Sequence, residues 1–228
     1  MEEFDVVIIG SGVAGMTAAI YTSRLGLKTQ VIENLIPGGQ IINVEKIEDF
    51  PGFPQGISGA ELTDLIKTQA QINGSEFVMS EISEISKKED VWTIQSSVSK
   101  VITKTIIIAA GSTLSKLNVP GEKELIGGGV SYCATCDGAF FIDQKVCVIG
   151  GGDSALQEAL SLSEFAKEIY ILCNKSSLHA QKILQDRVES DKKISIKFNV
   201  QISEIHGDGM VEHISILNLS NNETTKMK

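Results

Sequence analysis

Val6-Val7-Ile8-Ile9-Gly10-Ser11-Gly12-Val13-Ala14-Gly15 is the stretch from which the rest of the chain can be read. An unbroken apolar run that stops at a glycine predicts a strand buried in a parallel sheet. Ala14 to Leu25 then follows a helical pattern that Gly26 ends, and Thr29 to Glu33 reads as the next strand. A strand, a glycine turn, a helix and a second strand make one parallel crossover unit. The glycine spacing is the dinucleotide fingerprint. The first glycines allow a tight turn and a close approach of pyrophosphate, Gly15 lets helix and strand pack closely, and the helix start favours negative charge. Gly10, Ser11, Gly12, Val13, Ala14 and Gly15 therefore form a candidate cofactor-binding loop. Glu33, at the end of the second strand, is placed to accept hydrogen bonds from a ribose.

Further along, Lys145 to Ile149 is again an apolar strand, and Gly150-Gly151-Gly152-Asp153-Ser154-Ala155 is again a turn into a helix, Ser154 to Phe165. Ala155 stands where the third glycine falls, which the fingerprint tolerates. Glu168 to Leu172 is the partner strand. It runs into Cys173-Asn174-Lys175, with no acid for a ribose diol and only Lys175 at hand for a 2′-phosphate. This second module is either a nucleotide site or a fold unit kept for structure.

The fold class that follows is α/β, with two Rossmann-like three-layer nucleotide-binding domains. We place them at 1–115 and 116–228, and Pro120-Gly121 reads as the crossing point between them. Between the two modules, Glu61 to Ile72 reads as a helix with Leu62, Leu65, Ile66 and Ala70 inward. Glu76 to Ser80 reads as a strand, and Glu84 to Gln95 and Val98 to Ile108 read as antiparallel strands. Ile106 to Gly111 reads as a second fully buried strand end. After the second module, Ala180 to Arg187 reads as a helix and Ile194 to Phe198, Ile202 to His206 and Met210 to Leu217 as strands.

The 228 residues carry a net charge of −9 and are 42% hydrophobic, which describes an ordinary folded chain. An acidic chain with no basic arm is a poor general nucleic-acid binder. No apolar run is long enough to span a bilayer, and the acidic start lacks the basic head of a secretory signal, so the sequence reads as cytoplasmic.

Four cysteines do not make a disulfide scaffold. Cys147 and Cys173 lie in apolar runs and read as core residues. Cys133-Ala134-Thr135-Cys136-Asp137-Gly138 is different, because its spacing allows either a disulfide or half a metal site. A structural zinc needs four ligands, and the three histidines, His179, His206 and His213, are scattered. Thiol–disulfide exchange needs one thiolate to attack and a second to resolve, which the spacing suits. Asp137 could relay a proton, or could be a simple helix cap or surface acid. A flavin can pass two electrons to a disulfide and a nicotinamide can reload the flavin. Two nucleotide folds and one cysteine pair are the parts for that relay.

At this point the sequence resembles the low-molecular-weight thioredoxin reductases. The matching stretches are Gly10 to Tyr21, Pro37-Gly38-Gly39-Gln40, Glu48-Asp49-Phe50-Pro51-Gly52-Phe53, Ala109-Ala110-Gly111, Gly129 to Gly138 and Gly150 to Ala155. The resemblance implies an FAD domain with a nicotinamide domain inserted in it, the two rotating between two working arrangements in a homodimer. FAD would lie on Gly10, Gly12 and Gly15, with its ribose at Glu33, and along Gly38, Gly39 and Gln40; Ala110 and Gly111 belong to the same family pattern. Cys136 would face the flavin, Cys133 would attack the disulfide of thioredoxin, and Asp137 would be the general acid.

Two departures from the family pattern set further expectations. The family grips the NADPH phosphate with a His-Arg-Arg stretch and one more Arg, where this chain has Cys173, Asn174, Lys175 and His179. Bidentate phosphate recognition is thereby lost. NADPH, NADH and reduced ferredoxin all stand as donors, although the acidic charge does not favour an acidic ferredoxin. A related dithiol oxidase and a non-catalytic flavin-binding protein are the other readings. Secondly, the family's FAD domain resumes after the segment matching Val211 to Thr225. The expectation is a piece of a longer protein in preference to a reduced relative, with an incomplete FAD domain, an open edge on its parallel strands and weak flavin binding.

Overall fold

The computed structural model describes residues 1–228, which fold as two compact units, Met1–Thr113 and Leu114–Lys228. Each unit is built on one of the two glycine-turn modules.

In the first unit, β1 (Glu2–Ile9), α1 (Val13–Arg24) and β2 (Thr29–Glu33) form the parallel crossover, with Val6 opposite Thr29 and Ile9 opposite Ile32. Next, α2 (Gly59–Ile72) starts at Ser58, whose hydroxyl accepts the Glu61 N–H at 3.2 Å, a standard N-cap. β3 (Glu76–Met79) pairs parallel with β2. The chain then turns antiparallel through β4 (Ile82–Lys88), β5 (Val91–Ser96) and β6 (Lys100–Ile108), and β6 returns to lie parallel to β1. The resulting six-stranded sheet has the order β3-β2-β1-β6-β5-β4. Val6 and Ile8 pack against Met16, Ala19 and Ile20 of α1 and Leu62, Ile66 and Ala70 of α2. Val7, Ile32, Ile94 and Val101 make a second cluster. Each such fully buried side chain contributes about 1.5–3 kcal/mol, so β1, buried on both faces, anchors the unit.

Four details differ from the sequence reading. Glu84 to Gln95 is two strands, because Glu89 takes φ +55° and reverses the chain. The end of β6 is not fully buried: Ile106 and Ile107 are half-buried and Ile108 is 74% exposed. The pairing of β5 with β6 stops at Thr103, so beyond it β6 is held by β1 alone. On α2, Leu65 is exposed, and Thr63 is buried in its place with its hydroxyl donated to Gly59 O at 2.8 Å. Finally, Pro120-Gly121 is not where the units divide. It is a turn inside the second unit, where Pro120 O accepts the Ile205 N–H at 2.9 Å.

The second unit holds two three-stranded sheets. β7 (Lys145–Ile149), β8 (Glu168–Leu172) and β9 (Ile194–Lys197) are parallel. β10 (Val200–Gly207), β11 (Val211–Asn218) and β12 (Thr224–Met227) are antiparallel. Ile169 and Ile171 of β8 pack with Leu156 and Ala159 of α4 (Asp153–Leu162) and Leu184 and Val188 of α5 (Lys182–Ser190). The alternate residues Tyr170 and Leu172 pack with Val200, Ile202, Ile214 and Ile216 of the antiparallel sheet. The period-2 alternation of one strand thus splits between helices and sheet. β12 is absent from the sequence reading, because Thr224-Thr225-Lys226-Met227 is too polar to announce a strand; its pairing with β11 decides it.

Candidate active site

In the first unit, three backbone turns meet. Gly10 takes φ +98°, and a Cβ there would lie 2.3 Å from Ala109 O. Gly15 has no room either, since a Cβ would lie 2.0 Å from Gly10 O. Gly38 donates its N–H to Ser11 O at 3.0 Å. Gly39, at φ +65°, rests against Gly12, with a Cβ position only 3.0 Å from the Gly12 Cα. Gln40 donates its side-chain amide to Ser112 O and to the Ser112 hydroxyl. The Gly10–Gly15 loop, the Gly38–Gln40 turn and the segment from Ala109 through Ala110 and Gly111 to Ser112 therefore form one backbone cradle. Ser112 carried no signal in the sequence. Gly12 is the N-cap of α1, no side chain caps the helix, and its first turn holds no acid. Uncapped N–H groups at a glycine-lined helix start suit the pyrophosphate of a dinucleotide such as FAD.

Glu33 reaches this loop as well. Its carboxylate accepts the Ser11 N–H at 2.8 Å and the Ser11 hydroxyl at 2.9 Å, and the Asn34 N–H at 2.8 Å. Burial alone would raise its pKa; these hydrogen bonds, with one from the Leu35 N–H, outweigh burial and hold it below the usual carboxylate value. Glu33 thus stays charged and braces the glycine loop.

The second glycine turn has different surroundings. Gly150 takes φ +135° and Gly152 is the N-cap of α4, again without a side-chain cap. His179 covers the turn: its N–H donates to Gly151 O at 2.9 Å, and its ring lies 3.2 Å from where a Gly152 Cβ would be. The Cys173 sulfur would sit 2.6 Å from a Cβ on Gly151. Asp153, in the first turn of α4, is engaged by Gln181, whose backbone and side-chain N–H groups donate to it at 2.6 and 3.1 Å. Ala155 is buried at the third fingerprint position, Ser154 is exposed beside it, and Asn174 and Lys175 are exposed. The uncapped glycine start of α4 matches that of α1, but its first turn carries an acid, Asp153, and Lys175 and His179 supply no guanidinium fork.

The cysteine pair lies on α3 (Ala134–Asp137), a single turn. Cys133 and Cys136 are joined in a disulfide, with Cα atoms 5.3 Å apart. The Cys136 N–H donates to Cys133 Sγ at 3.1 Å. The Ser131 hydroxyl donates to Asp137 Oδ2 at 2.6 Å and accepts the Cys133 N–H at 3.1 Å, so one serine links the acid to the pair. Cys133 is the N-cap of α3, and Asp137 stands at the N-cap of the next short turn, Gly138–Phe141, without capping it through its side chain. No group of three His, Cys, Asp or Glu side chains converges on a common point. Cys147 and Cys173 are unpaired, and burial pushes the Cys147 thiol up to about 11, which keeps it protonated.

Two acids hold this segment, and neither stands out in the sequence. Glu158 on α4 accepts the N–H of Ala134, the residue after Cys133. Glu122, only 4% exposed, accepts the Leu117 N–H at 2.8 Å, the Asn118 N–H at 2.7 Å and the Tyr132 hydroxyl at 2.9 Å. Burial would raise the Glu122 pKa, but the hydrogen bonds from Leu117, Tyr132 and Asn118 hold it below the usual carboxylate value. A carboxylate with a depressed folded pKa stabilises the fold above the unfolded pKa and loses that contribution as pH falls through the folded one. Glu122→Gln should therefore cost about 1–3 kcal/mol near pH 7 and less at a pH acidic enough to protonate the folded carboxyl. Urea denaturation at both pH values checks this, and an equal cost at both would show that the carboxylate charge plays no part.

Comparison with known proteins places these features. The family model described as pyridine nucleotide-disulphide oxidoreductase matches residues 4–228. The thioredoxin reductase of Bacillus subtilis is 42% identical over 226 residues, which is 99% of this chain and 71% of that protein. That of Listeria monocytogenes is 44% identical over 206 residues, covering 90% of this chain and 64% of that protein. The chain thus spans roughly two thirds of the length of these relatives. Among solved structures, Lactococcus lactis thioredoxin reductase in its FR conformation superimposes with a TM-score of 0.94 at 42% identity, covering 98% of this chain and 74% of that one. A match along almost the whole chain, which carries two glycine turns and a cysteine pair, makes this protein a member of the pyridine nucleotide-disulphide oxidoreductase family, grouped with its thioredoxin reductases.

Proposed function

We propose that the chain acts as an FAD-dependent thioredoxin-disulfide reductase, passing electrons from a reduced donor through the flavin and Cys133–Cys136 to the disulfide of thioredoxin. The observation that carries this reading is the closed Cys133–Cys136 disulfide, set on its own helical turn in a chain with two dinucleotide turns. The Cys136 N–H aimed at Cys133 Sγ is the donor a thiolate on Cys133 would need, which supports Cys133 as the attacking sulfur and Cys136 as its resolving partner. Asp137, tied to the pair through Ser131, is the proton carrier for the leaving thiolate. In the first unit, Gly10 to Gly15, Glu33, Gly38 to Gln40, Ala110 and Gly111 hold FAD, which when bound supplies the two-electron relay. Gly150 to Ala155 and Lys175 receive the nicotinamide donor. Free thiols at Cys147 and Cys173 suit a reducing compartment, so we place the reaction in the cytoplasm.

The surroundings of the second turn favour a further reading of the donor. His179 and Lys175 offer no bidentate grip on a 2′-phosphate, so discrimination for NADPH over NADH should be weak, and ferredoxin stays in the test as a third donor. The FAD-loaded protein is mixed with NADPH, NADH or reduced ferredoxin, with thioredoxin as acceptor, and the flavin absorbance is followed by stopped flow. Bleaching by both nicotinamides within about tenfold in rate is the expected result. Bleaching by ferredoxin alone would make the second turn vestigial, and no bleaching by any donor would overturn the reductase reading.

A further inference from the structure

α4 does more than carry a glycine turn at its start. Its residue Glu158 is half-buried and points its carboxylate at the Ala134 N–H, inside the Cys133–Cys136 pair. Ala134 itself is buried in the same cluster as Ala155, Leu156 and Ala159 of α4. The turn that bears the disulfide thus packs on α4 through Ala134 and is bonded to it by the Glu158 carboxylate. Three other backbone donors around the pair have their own acceptors: Cys133 N–H on Ser131, Cys136 N–H on Cys133 Sγ, and Asp137 N–H on Cys133 O.

We propose that Glu158 is a positioning residue for the cysteine pair and that its charge sets the pair's redox poise. The proposal rests on the reading that Cys133–Cys136 is redox-active. Reduction adds two electrons and two protons to the S–S bond and leaves two thiols. Above the lower thiol pKa one proton is lost and a thiolate remains, on Cys133 by the geometry above. A carboxylate held on the N–H of the residue after Cys133 opposes that thiolate. It therefore keeps the thiol protonated to higher pH and makes the disulfide harder to reduce wherever the thiolate forms. Two influences act on the Glu158 carboxyl: burial raises its pKa and the Ala134 N–H lowers it, with burial the larger. The neighbouring acids are already occupied, Asp137 by Ser131 and Glu122 by Leu117, Asn118 and Tyr132.

Glu158→Gln separates charge from position, because glutamine keeps an oxygen for the Ala134 N–H, whereas Glu158→Ala removes both. The purified protein is equilibrated with dithiothreitol, which supplies the electrons by becoming a cyclic disulfide, and the fraction of reduced pair is read from pH 6 to 9. In parallel, the alkylation rate of the reduced pair by iodoacetamide is read against pH. The expected result for both variants is an alkylation midpoint about one pH unit lower, and an equilibrium with dithiothreitol about tenfold further toward the dithiol at pH 9. A wild-type pH profile in Glu158→Gln overturns the charge role, whether or not Glu158→Ala shifts. A wild-type pair that dithiothreitol cannot open overturns the redox reading itself, and this inference with it.

Discussion

Cys136→Ser should reduce thioredoxin turnover by about a thousandfold or more while the protein stays folded and still takes electrons from its donor. The side chain of Cys136 is exposed, so its loss opens no cavity in the core of the second unit. What goes is the resolving sulfur. Cys133 can still attack the thioredoxin disulfide, but nothing then displaces the mixed disulfide, and a covalent complex should accumulate. Cys133→Ser should fail just as completely and without the covalent complex, since its partner lacks the N–H that Cys136 donates to Cys133 Sγ. Because the two sulfurs act as one unit, the double variant should be no worse than either single one. Steady-state thioredoxin reduction and non-reducing gels measure both effects. Normal turnover in Cys136→Ser, or a trapped complex in Cys133→Ser instead, would refute the assignment of the two sulfurs.

Gly15→Ala should be among the most damaging single methyl groups in the first unit. The added Cβ would lie 2.0 Å from Gly10 O and 3.0 Å from Gly10 C, and both are backbone atoms that cannot rotate away. Relief requires α1 to move off β1, which spoils the packing of Met16, Ala19 and Ile20 and opens the cradle shared with Gly38 and Gly39. The expected cost is about 3 kcal/mol, and FAD affinity should fall about a hundredfold, because binding must force the relaxed turn back into its strained shape. Gly26→Ala is the control. Gly26 sits at φ +79° with nothing within 4 Å of a Cβ, so its cost is backbone strain alone, about 1 kcal/mol. Urea denaturation and FAD titration separate the two sites. Equal and small effects would show that the glycine turn yields more easily than its contacts suggest.

Much of this fold was legible in local pattern. The strands Thr29–Glu33, Lys145–Ile149 and Glu168–Leu172 fall where the apolar runs place them, because a strand between a glycine turn and a helix depends only on neighbouring residues. The errors cluster where a residue's state depends on what lies beside it in space. Ile106-Ile107-Ile108 reads as buried by composition, yet β5 leaves β6 before reaching it and Ile108 faces solvent. Thr224–Met227 carries no strand signal, yet β11 offers it a ladder.

The same division runs through the candidate site. By itself the sequence determined the glycine turns and the cysteine spacing, because those are properties of a few consecutive residues and their backbone geometry. Only the tertiary structure decided the partners of the site's polar groups: Ser11 with Glu33, Gly39 against Gly12, Gln40 with Ser112, Asp153 with Gln181, and Glu158 on Ala134. A carboxylate or an N–H removed from water must find a partner, and which one it finds is set by how whole helices and strands pack. The apolar core sets that packing, and no spacing motif records it.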